Sequence, residues 1–582
     1  MSVADKVMEL ARRRGFFWTS AEIYGGVSGF LDFGPLGKLL KRKIEEKWRY
    51  WFVLKNQEIV VEIETPIITP YKVFEASGHV NHFTDYMVEC LECGRKFRAD
   101  HVIEEETGLS GLEGLSEEQL TSIIAERNVK CPECGGRLGT VKKFNLLFQT
   151  TIGPYSENVG FARPEAAQGM FTTFSRVYES MRNRLPLGIA QIGKVMRNEI
   201  SPRQGPIRLR EFTIMELEFF YDPQDPYCPL LNRSELLRLV PEERVSKKDI
   251  TPIEVTVEEA LKQGFIANEW LAYFMVLAQN FIQELGIAKD KQMFIAKLPH
   301  ERAHYASQVY DQVVKLEKWG WVEVSGHAFR TDYDLRGHMA LSGEDLRVYK
   351  QMSSEVEVEE VELRPILDTI REDYGQETNT VINALRMMPG ERVLEEIKTK
   401  GFFEMGKFRI YPKHIEFKKE KKRVKGRKFI PFVAEPSFGA ERLVYAAMEY
   451  AYREKDGRVV LSFPPDIAPI EVIVLPLVNR DGLPEKAREV YNILKLRGLI
   501  VDYDDSGSIG RRYARADEVG IPIAVTIDYQ TLKDDTVTIR DRDTWKQVRC
   551  QIRELPDIVE AYVRRREAKG PIKELVEYIE KT

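Results

Sequence analysis

The sequence predicts an α+β protein of several domains, and three observations carry that prediction. Two alternating segments, GIAQIGKVMRNEI and RLREFTIMELEFF, flank a Pro/Gly connection near residues 200–207, the pattern of an antiparallel hairpin. Residues 39–53, LLKRKIEEKWRYWFV, repeat apolar side chains at helical spacing. Residues 465–560 alternate strands with helices, which implies a largely parallel sheet. The 582 residues suit three or four domains at roughly 100–200 residues each. Hydrophobic residues at 43% and charged ones at 30% describe a folded chain, not a wholly disordered one. A net charge of −5 excludes a basic coat, so any nucleic-acid site must be a local patch. No apolar run approaches the ~18 residues of a membrane helix. The N-terminus lacks an apolar signal core, so a cytoplasmic protein with no membrane partner is expected.

Along the chain, residues 5–14 form a short amphipathic helix and residues 24–38 a glycine-punctuated loop. The long helix leads into a strand, EIVVEIETP, stopped by Pro66. Residues 90–143 read as an insertion bracketed by two CxxC pairs, with a helix capped by Ser116. A Pro-rich shift after residue 222 marks a second insertion. A third irregular block, 341–428, opens with the acidic run 355–363 and closes with the basic run 418–428. These runs suit neighbouring strands or two solvated faces; RNA contact by the basic run is the competing expectation.

The chain has six cysteines. Cys90/Cys93 and Cys131/Cys134 are each followed by glycine, which lets backbone amides turn toward the sulfurs. Four thiolates make a closed tetrahedral Zn²⁺ site, structural rather than catalytic. The gap between the pairs is longer than in most zinc ribbons, and buried free thiols are the bland alternative. Cys228 and Cys550 read as core.

The most informative stretch runs from Arg197 to Glu218. Alternate residues of a strand share a face, so Arg197 groups with Glu199, and Arg208, Arg210, Phe212, Glu216 and Glu218 group together. Leu209, Thr213, Met215, Leu217 and Phe219 form the opposite, inward face. Arg208 to Glu216 would span on the order of 27 Å, enough for a nucleotide and a small second substrate. Guanidinium groups suit phosphates, an aromatic face suits a purine and carboxylates suit an ammonium. Glu165 and Gln168 sit in a turn before a helix. Glu435 and Ser437 end a strand, and Gly439 turns the chain into a helix whose first turn holds Arg442, where amide dipoles add to the attraction for phosphate. There is no GxxxxGK[ST] loop, no dinucleotide fingerprint and no arrangement for covalent catalysis.

On these residues the sequence resembles the class II aminoacyl-tRNA synthetases, and within them the glycyl-tRNA synthetases of the archaeal/eukaryotic α2 type. EIETP with Pro66 is similar to motif 1. Arg197-Asn198-Glu199 through Arg208 and Phe212 is similar to motif 2, and Gly439 to Arg442 to motif 3. YGGVSGFLDFGPLG, SGHVNHFTDYMVEC, FRAD, RPEAAQG, GWVEVSGHAFRTDYDL, EPSFGAERL and SIGRRYARADEVGIPIAVTID each resemble a segment of that family. Ala166 departs from the threonine common there.

The resemblance implies an antiparallel catalytic domain with insertions and a C-terminal α/β anticodon-binding domain. It divides the chain into catalytic segments at 1–89, 144–221, 301–340 and 429–464, and insertions at 90–143 (zinc-bearing), 222–300 and 341–428. Residues 465–582 become the anticodon-binding domain and a C-terminal helix. It implies a homodimer that forms glycyl-adenylate from glycine and Mg²⁺-ATP, then transfers glycyl to tRNA(Gly). The catalytic residues implied are Arg197, Arg208 and Arg442. Arg197 would hold the α-phosphate, Arg208 and Arg442 the outer phosphates, and Phe212 would stack on adenine. Asn198, Glu199, Ile207, Glu323, Val324 and Gly439 complete the implied ATP site. Glu165, Glu216, Glu435, Ser437, Phe212 and Gly439 would surround glycine, with Arg98 at its carboxylate. Arg511, Arg512 and Arg515, and the run Arg564 to Arg566, are candidate tRNA contacts. Competing amino acids are larger than glycine, so a filled pocket rejects them and no editing site is expected. The competing reading, a synthetase-derived RNA-binding protein without chemistry, would be expected to lose these arginines and carboxylates. A zinc-ribbon module explains only residues 90–134.

Overall fold

The computed structural model describes residues 2–564 apart from 110, 113, 203 and 204. Arg565 and Arg566, and the expected helix beyond them, lie outside the described residues.

Helix α1 (Val3–Arg14) is set by a reciprocal cap between Ser2 and Asp5 and stops at Gly15, which has φ 76°. Helix α2 (Pro35–Phe52) opens with proline in its first turn and buries Leu40, Ile44, Trp48 and Phe52, one every fourth residue. Gly37 lets α2 approach the preceding chain, because a Cβ there would lie 1.8 Å from the Phe16 carbonyl oxygen. The strand expected to reach Pro66 is shorter: β1 spans only Val60–Glu62.

A nine-stranded sheet forms the centre. Its strands are β1, β2 (Leu187–Met196), β3 (Glu211–Tyr221), β4 (Leu236–Val240), β5 (Ile253–Thr256), β6 (Gln292–Ala296), β7 (Gln308–Leu316), β8 (Gly320–Thr331) and β9 (Phe432–Gly439). Their order is β5-β4-β6-β7-β8-β9-β3-β2-β1. The β2–β1 and β4–β6 pairs are parallel and the other pairings antiparallel. Residues 222–300, expected as an insertion, extend this same sheet with β4, β5 and β6.

The period of two along β3 decides what each side of the sheet sees. Met215, Leu217, Phe219 and Tyr221 pack into one apolar layer with α2, helix Glu269–Glu284 and helix Ala440–Ala451. Ile214 and Phe220 pack into a second layer with Phe171, Phe174, Leu335 and the helices after residue 366. Glu216 and Glu218 lie between Ile214 and Phe220 on that second side.

The hairpin is confirmed, with β2 and β3 in register from Leu187/Phe220 to Met196/Glu211. Its strands end sooner than expected. Arg197, Glu199, Arg208 and Arg210 belong to the connection rather than to the ladder. Only Phe212 to Glu216 of the expected 27 Å row lies on a strand, roughly 14 Å.

The acidic and basic runs do pair, as a long two-stranded ribbon of Val348–Pro365 with Ile415–Phe429. Lys422 meets Glu360 at 2.8 Å, and Lys421 and Lys425 each meet a glutamate at 3.5 Å. Cross-strand neutralisation thus engages much of the basic run for which RNA was the competing partner. The segment after Cys93 holds a helix not foreseen, Ala99–Thr107, and the expected one, Glu117–Glu126, capped by Ser116.

The C-terminal module is a five-stranded sheet, less parallel than expected. The strands Val501–Tyr503, Val472–Pro476 and Ile523–Ile527 run parallel, whereas Thr536–Asp541 and Gln547–Gln551 add antiparallel. The last two are joined by a tight turn, which permits only antiparallel pairing. Among the described residues no helix is long and apolar enough to cross a membrane.

Candidate active site

An open cleft lies over the ends of β3, β8 and β9. It is lined by Arg197, Glu199, Ile207, Arg208, Phe212, Glu323, Val324, Ser437, Gly439 and Arg442, among others. Every residue expected at ATP except Asn198 is in that lining. A larger cavity of about 830 Å³ lies elsewhere, beside residues 55–59 and 348–351, and none of the expected site residues lines it.

Each cleft arginine is held by backbone or a carboxylate. Arg197 donates to the Pro164 carbonyl at 3.1 Å, with its guanidinium 5.4 Å from the Phe212 ring centre and 5.7 Å from that of Phe83. Arg208 lies 3.6 Å from Glu199. Arg442 donates to the carbonyls of Ile207 (3.0 Å) and Glu323 (2.5 Å). Arg210, which shares the expected face, instead points away and donates to the carbonyls of Glu199 and Ser28. It thereby ties the glycine-rich loop to the hairpin connection. Such half-exposed guanidiniums, fixed in place and not buried in ion pairs, suit phosphate oxygens.

Asp311 of β7 was not foreseen. It belongs to the same electrostatic group as Glu323 of β8 and lies 3.0 Å from Lys297. Burial pushes Asp311 up to about 7, with Glu323 adding to the effect. Burial also works against the charge on Glu323, but Arg442 and Lys297 outweigh it and its pKa falls. Glu323 lines the cleft and is an oxygen donor of the kind Mg²⁺ takes together with phosphates, whereas Asp311 is outside that lining. No sequence signal pairs Asp311 with Glu323, because their meeting depends on a bulge between Gln312 and Val313.

Next to the cleft, on the same strand β3, is a buried cluster of charged side chains, called the pocket below for the role proposed for it. The turn after Arg163 brings in Glu165, whose side chain accepts from Gln168 at 2.8 Å. Glu216 accepts the amide hydrogens of Ala166 and Ala167, at 2.7 and 3.0 Å. Glu435 lies on β9, and Ser437 is the cross-strand partner of Glu216. Sequence reasoning missed the hub. Arg330 of β8, fully buried, lies 3.1 Å from Glu165, 3.1 Å from Glu435 and 2.9 Å from Asp334, with the Tyr305 ring centre 3.6 Å from its guanidinium. Its one signal is an arginine four residues before an aspartate where strand passes to helix, AFRTDYD.

This pocket splits the pKa values of its carboxylates. Burial disfavours charge on Glu165, but Arg330 and His79 outweigh it and hold the group well below the usual range. Burial, reinforced by Glu165, raises Glu216. Burial raises Glu435 well above its usual value, against the pull of Arg330. Arg98 is placed outside this group. It lies 3.2 Å from Asp85 and pairs with Asp100 in the cysteine-bearing segment.

The four cysteines converge. Cys90 and Cys134 sulfurs lie 3.6 Å apart, and those of Cys93 and Cys131 3.7 Å apart. Zn–S bonds of about 2.3 Å in a tetrahedron give sulfur separations of roughly 3.8 Å, so the set fits Zn²⁺. The two turns are alike. Cys90 N–H donates to Arg95 and Gly94 N–H to Cys90; Cys131 N–H donates to Gly136 and Gly135 N–H to Cys131. Cys228 and Cys550 are buried, as expected of core residues.

With this geometry in place, comparison with known proteins is decisive. The chain is 52% identical over 566 residues to the glycine–tRNA ligase of Aeropyrum pernix, covering 96% of each. It is 45% identical to that of Methanocaldococcus jannaschii, covering 95% of this chain and 98% of the relative. The chain belongs to the glycine–tRNA ligase family. Residues 471–562 match the anticodon binding domain family. A prolyl-tRNA synthetase structure from Cryptosporidium parvum shares the fold, with TM-score 0.51 at 13% identity, covering 100% of this chain and 78% of that one. The family placement accords with the resemblance read from the motifs, and the class II fold with the antiparallel sheet.

In the anticodon-binding module, Arg512 is not free for RNA. It is buried and donates to the carbonyls of Pro476, Asp505 and Gly507. Arg515 pairs with Asp504, and Arg564 with Glu560.

Proposed function

We propose that this chain activates glycine with ATP to glycyl-adenylate and transfers the glycyl group to the 3′ end of tRNA(Gly). The observation that carries this is the contiguity of two unlike sites on one strand: Phe212 in an arginine-lined cleft, and Glu216 in a carboxylate pocket four residues on.

Arg197 holds the α-phosphate, Arg208 and Arg442 the outer phosphates, and Phe212 stacks on adenine between Ile207 and Val324. Asn198, Glu199 and Gly439 complete this site. Glu323 would hold Mg²⁺, which supplies positive charge to the phosphates when bound. The glycine carboxylate attacks the α-phosphorus in line and pyrophosphate leaves. No covalent nucleophile is needed, because positioning and charge stabilisation lower the barrier. Glu165, Glu216, Glu435 and Ser437 receive the ammonium and fill the volume a longer side chain would need. Arg98, engaged by Asp85 and Asp100, reaches the carboxylate only if those pairs exchange. The chain works as a cytoplasmic homodimer, which sedimentation would test as a mass of two chains.

ATP–pyrophosphate exchange tests the reading. Exchange is expected with glycine and not with alanine or serine, and Glu165→Ala should abolish it. Absence of exchange even with tRNA(Gly) present would overturn it. The four-cysteine set would hold Zn²⁺ as a fold element; one zinc per chain is expected, and metal-free purified protein would remove that role.

A further inference from the structure

Glu218 has no place in the scheme so far. Two residues beyond Glu216 on β3, it is fully buried, and neither carboxylate oxygen makes a hydrogen bond. The pairing of Glu216 with Ser437 and of Phe219 with Ala434 sets Glu218 directly across from Glu435. Like charges opposite one another destabilise a ladder, and a buried carboxylate without partners is costly. Glu216, Glu218 and Glu435 each offer an oxygen within 4.8 Å of the others.

The surroundings supply too little positive charge. Arg330 Nη1 lies 3.9 Å from Glu218 and 3.1 Å from Glu435, but the same guanidinium serves Glu165 and Asp334. The facing helix (Tyr333–Ser342) adds Asp334 and His338. His338 contacts Gln168 and stays neutral, since burial holds it down to about 4. His79 lies 3.5 Å from Glu165, and the neighbouring His304 is likewise held down to about 4 by burial. Tyr305 covers the guanidinium. Five carboxylates thus surround one cation.

We infer that Glu218 carries a proton in the free protein, which the ammonium of glycine displaces to solvent on binding. Glu218 is then a positioning residue. It lowers the negative charge of the free site by one and readies that charge for an amine. Burial, reinforced by Glu435, does raise the pKa of Glu218 well above its usual value. The proton leaves a carboxyl O–H for bulk water, and the carboxylate pair gains the ammonium as its counter-ion. This rests on the reading of the pocket as the glycine site.

Calorimetric titration of the full chain with glycine, in buffers of different ionisation enthalpy, tests it. Wild type should release about one proton per glycine at neutral pH, and its affinity should rise about tenfold per pH unit while the proton is retained. Glu218→Gln should release almost none and lose that slope, since Glu435 beside an amide ionises unaided; unchanged ATP binding would certify its fold. Zero release by wild type that exchanges pyrophosphate with glycine would sink the inference and leave the function standing. Full release by the variant would also sink it. No glycine binding at all would remove the glycine site and the inference together. Should the variant not fold, the wild-type slope decides alone.

Discussion

The nucleotide cleft and the amine pocket share strand β3, yet they handle charge in opposite ways. In the cleft, Arg208 and Arg442 are partly exposed; Arg208 lies beside Glu199, and Arg442 rests on the carbonyls of Ile207 and Glu323. Exchanging such contacts of a partly exposed guanidinium for phosphate oxygens costs little desolvation. In the pocket, Arg330 has no exposure and is committed to several carboxylates. There the charges hold the fold before any substrate arrives. Removing a cation should therefore injure activity alone in the cleft, but fold and activity together in the pocket.

Two substitutions break the comparison if it is wrong. Arg330→Met leaves buried carboxylates uncompensated, a change worth about 3–5 kcal/mol of stability. It should lower the denaturant midpoint steeply and abolish glycine-dependent exchange. Arg442→Ala should cost no more than about 1 kcal/mol of stability while slowing exchange about 10²-fold or more. Equal stability losses in the two variants would erase the distinction drawn here.

The same contrast explains what was legible in the sequence. The cleft residues fall in short local runs, 197–212, 323–324 and 439–442, which the family resemblance groups without a structure. The carboxylate group draws Glu165, Glu216, Arg330 with Asp334, and Glu435 from four distant segments, and only the sheet order brings β8 beside β9 and β9 beside β3. Arg330 therefore escaped notice, although it holds the group together. The extent of the strands escaped too. Alternation continues through Arg208 and Arg197, but the regular ladder stops at Met196/Glu211, because the Arg210 backbone amide turns to the Gly29 carbonyl. Charge pattern left the ribbon runs as neighbouring strands or two solvated faces, and their register, with Lys422 2.8 Å from Glu360, shows them as neighbours.

Within the pocket the comparison sharpens further, because two of its carboxyls should push stability in opposite directions with pH. Glu165 has a folded pKa below the unfolded value of about 4.3. Its contribution is present above that value and is lost as pH falls through the folded pKa. Glu165→Gln should therefore destabilise at pH 7, with a deficit that shrinks on acidification. Glu218 has a folded pKa above the unfolded value, set by burial and by Glu435. Its contribution is full below about pH 4.3 and is lost as pH rises toward and through the folded pKa. Glu218→Gln removes that loss. Measured by denaturant unfolding from pH 5 to 8, the variant should gain on wild type as pH rises, by at most about 1.4 kcal/mol per unit. A gap that stays flat would mean that Glu218 keeps the same charge throughout. The proton of the free site would then have to be assigned to Glu216 and Glu435, which share a side-chain hydrogen bond.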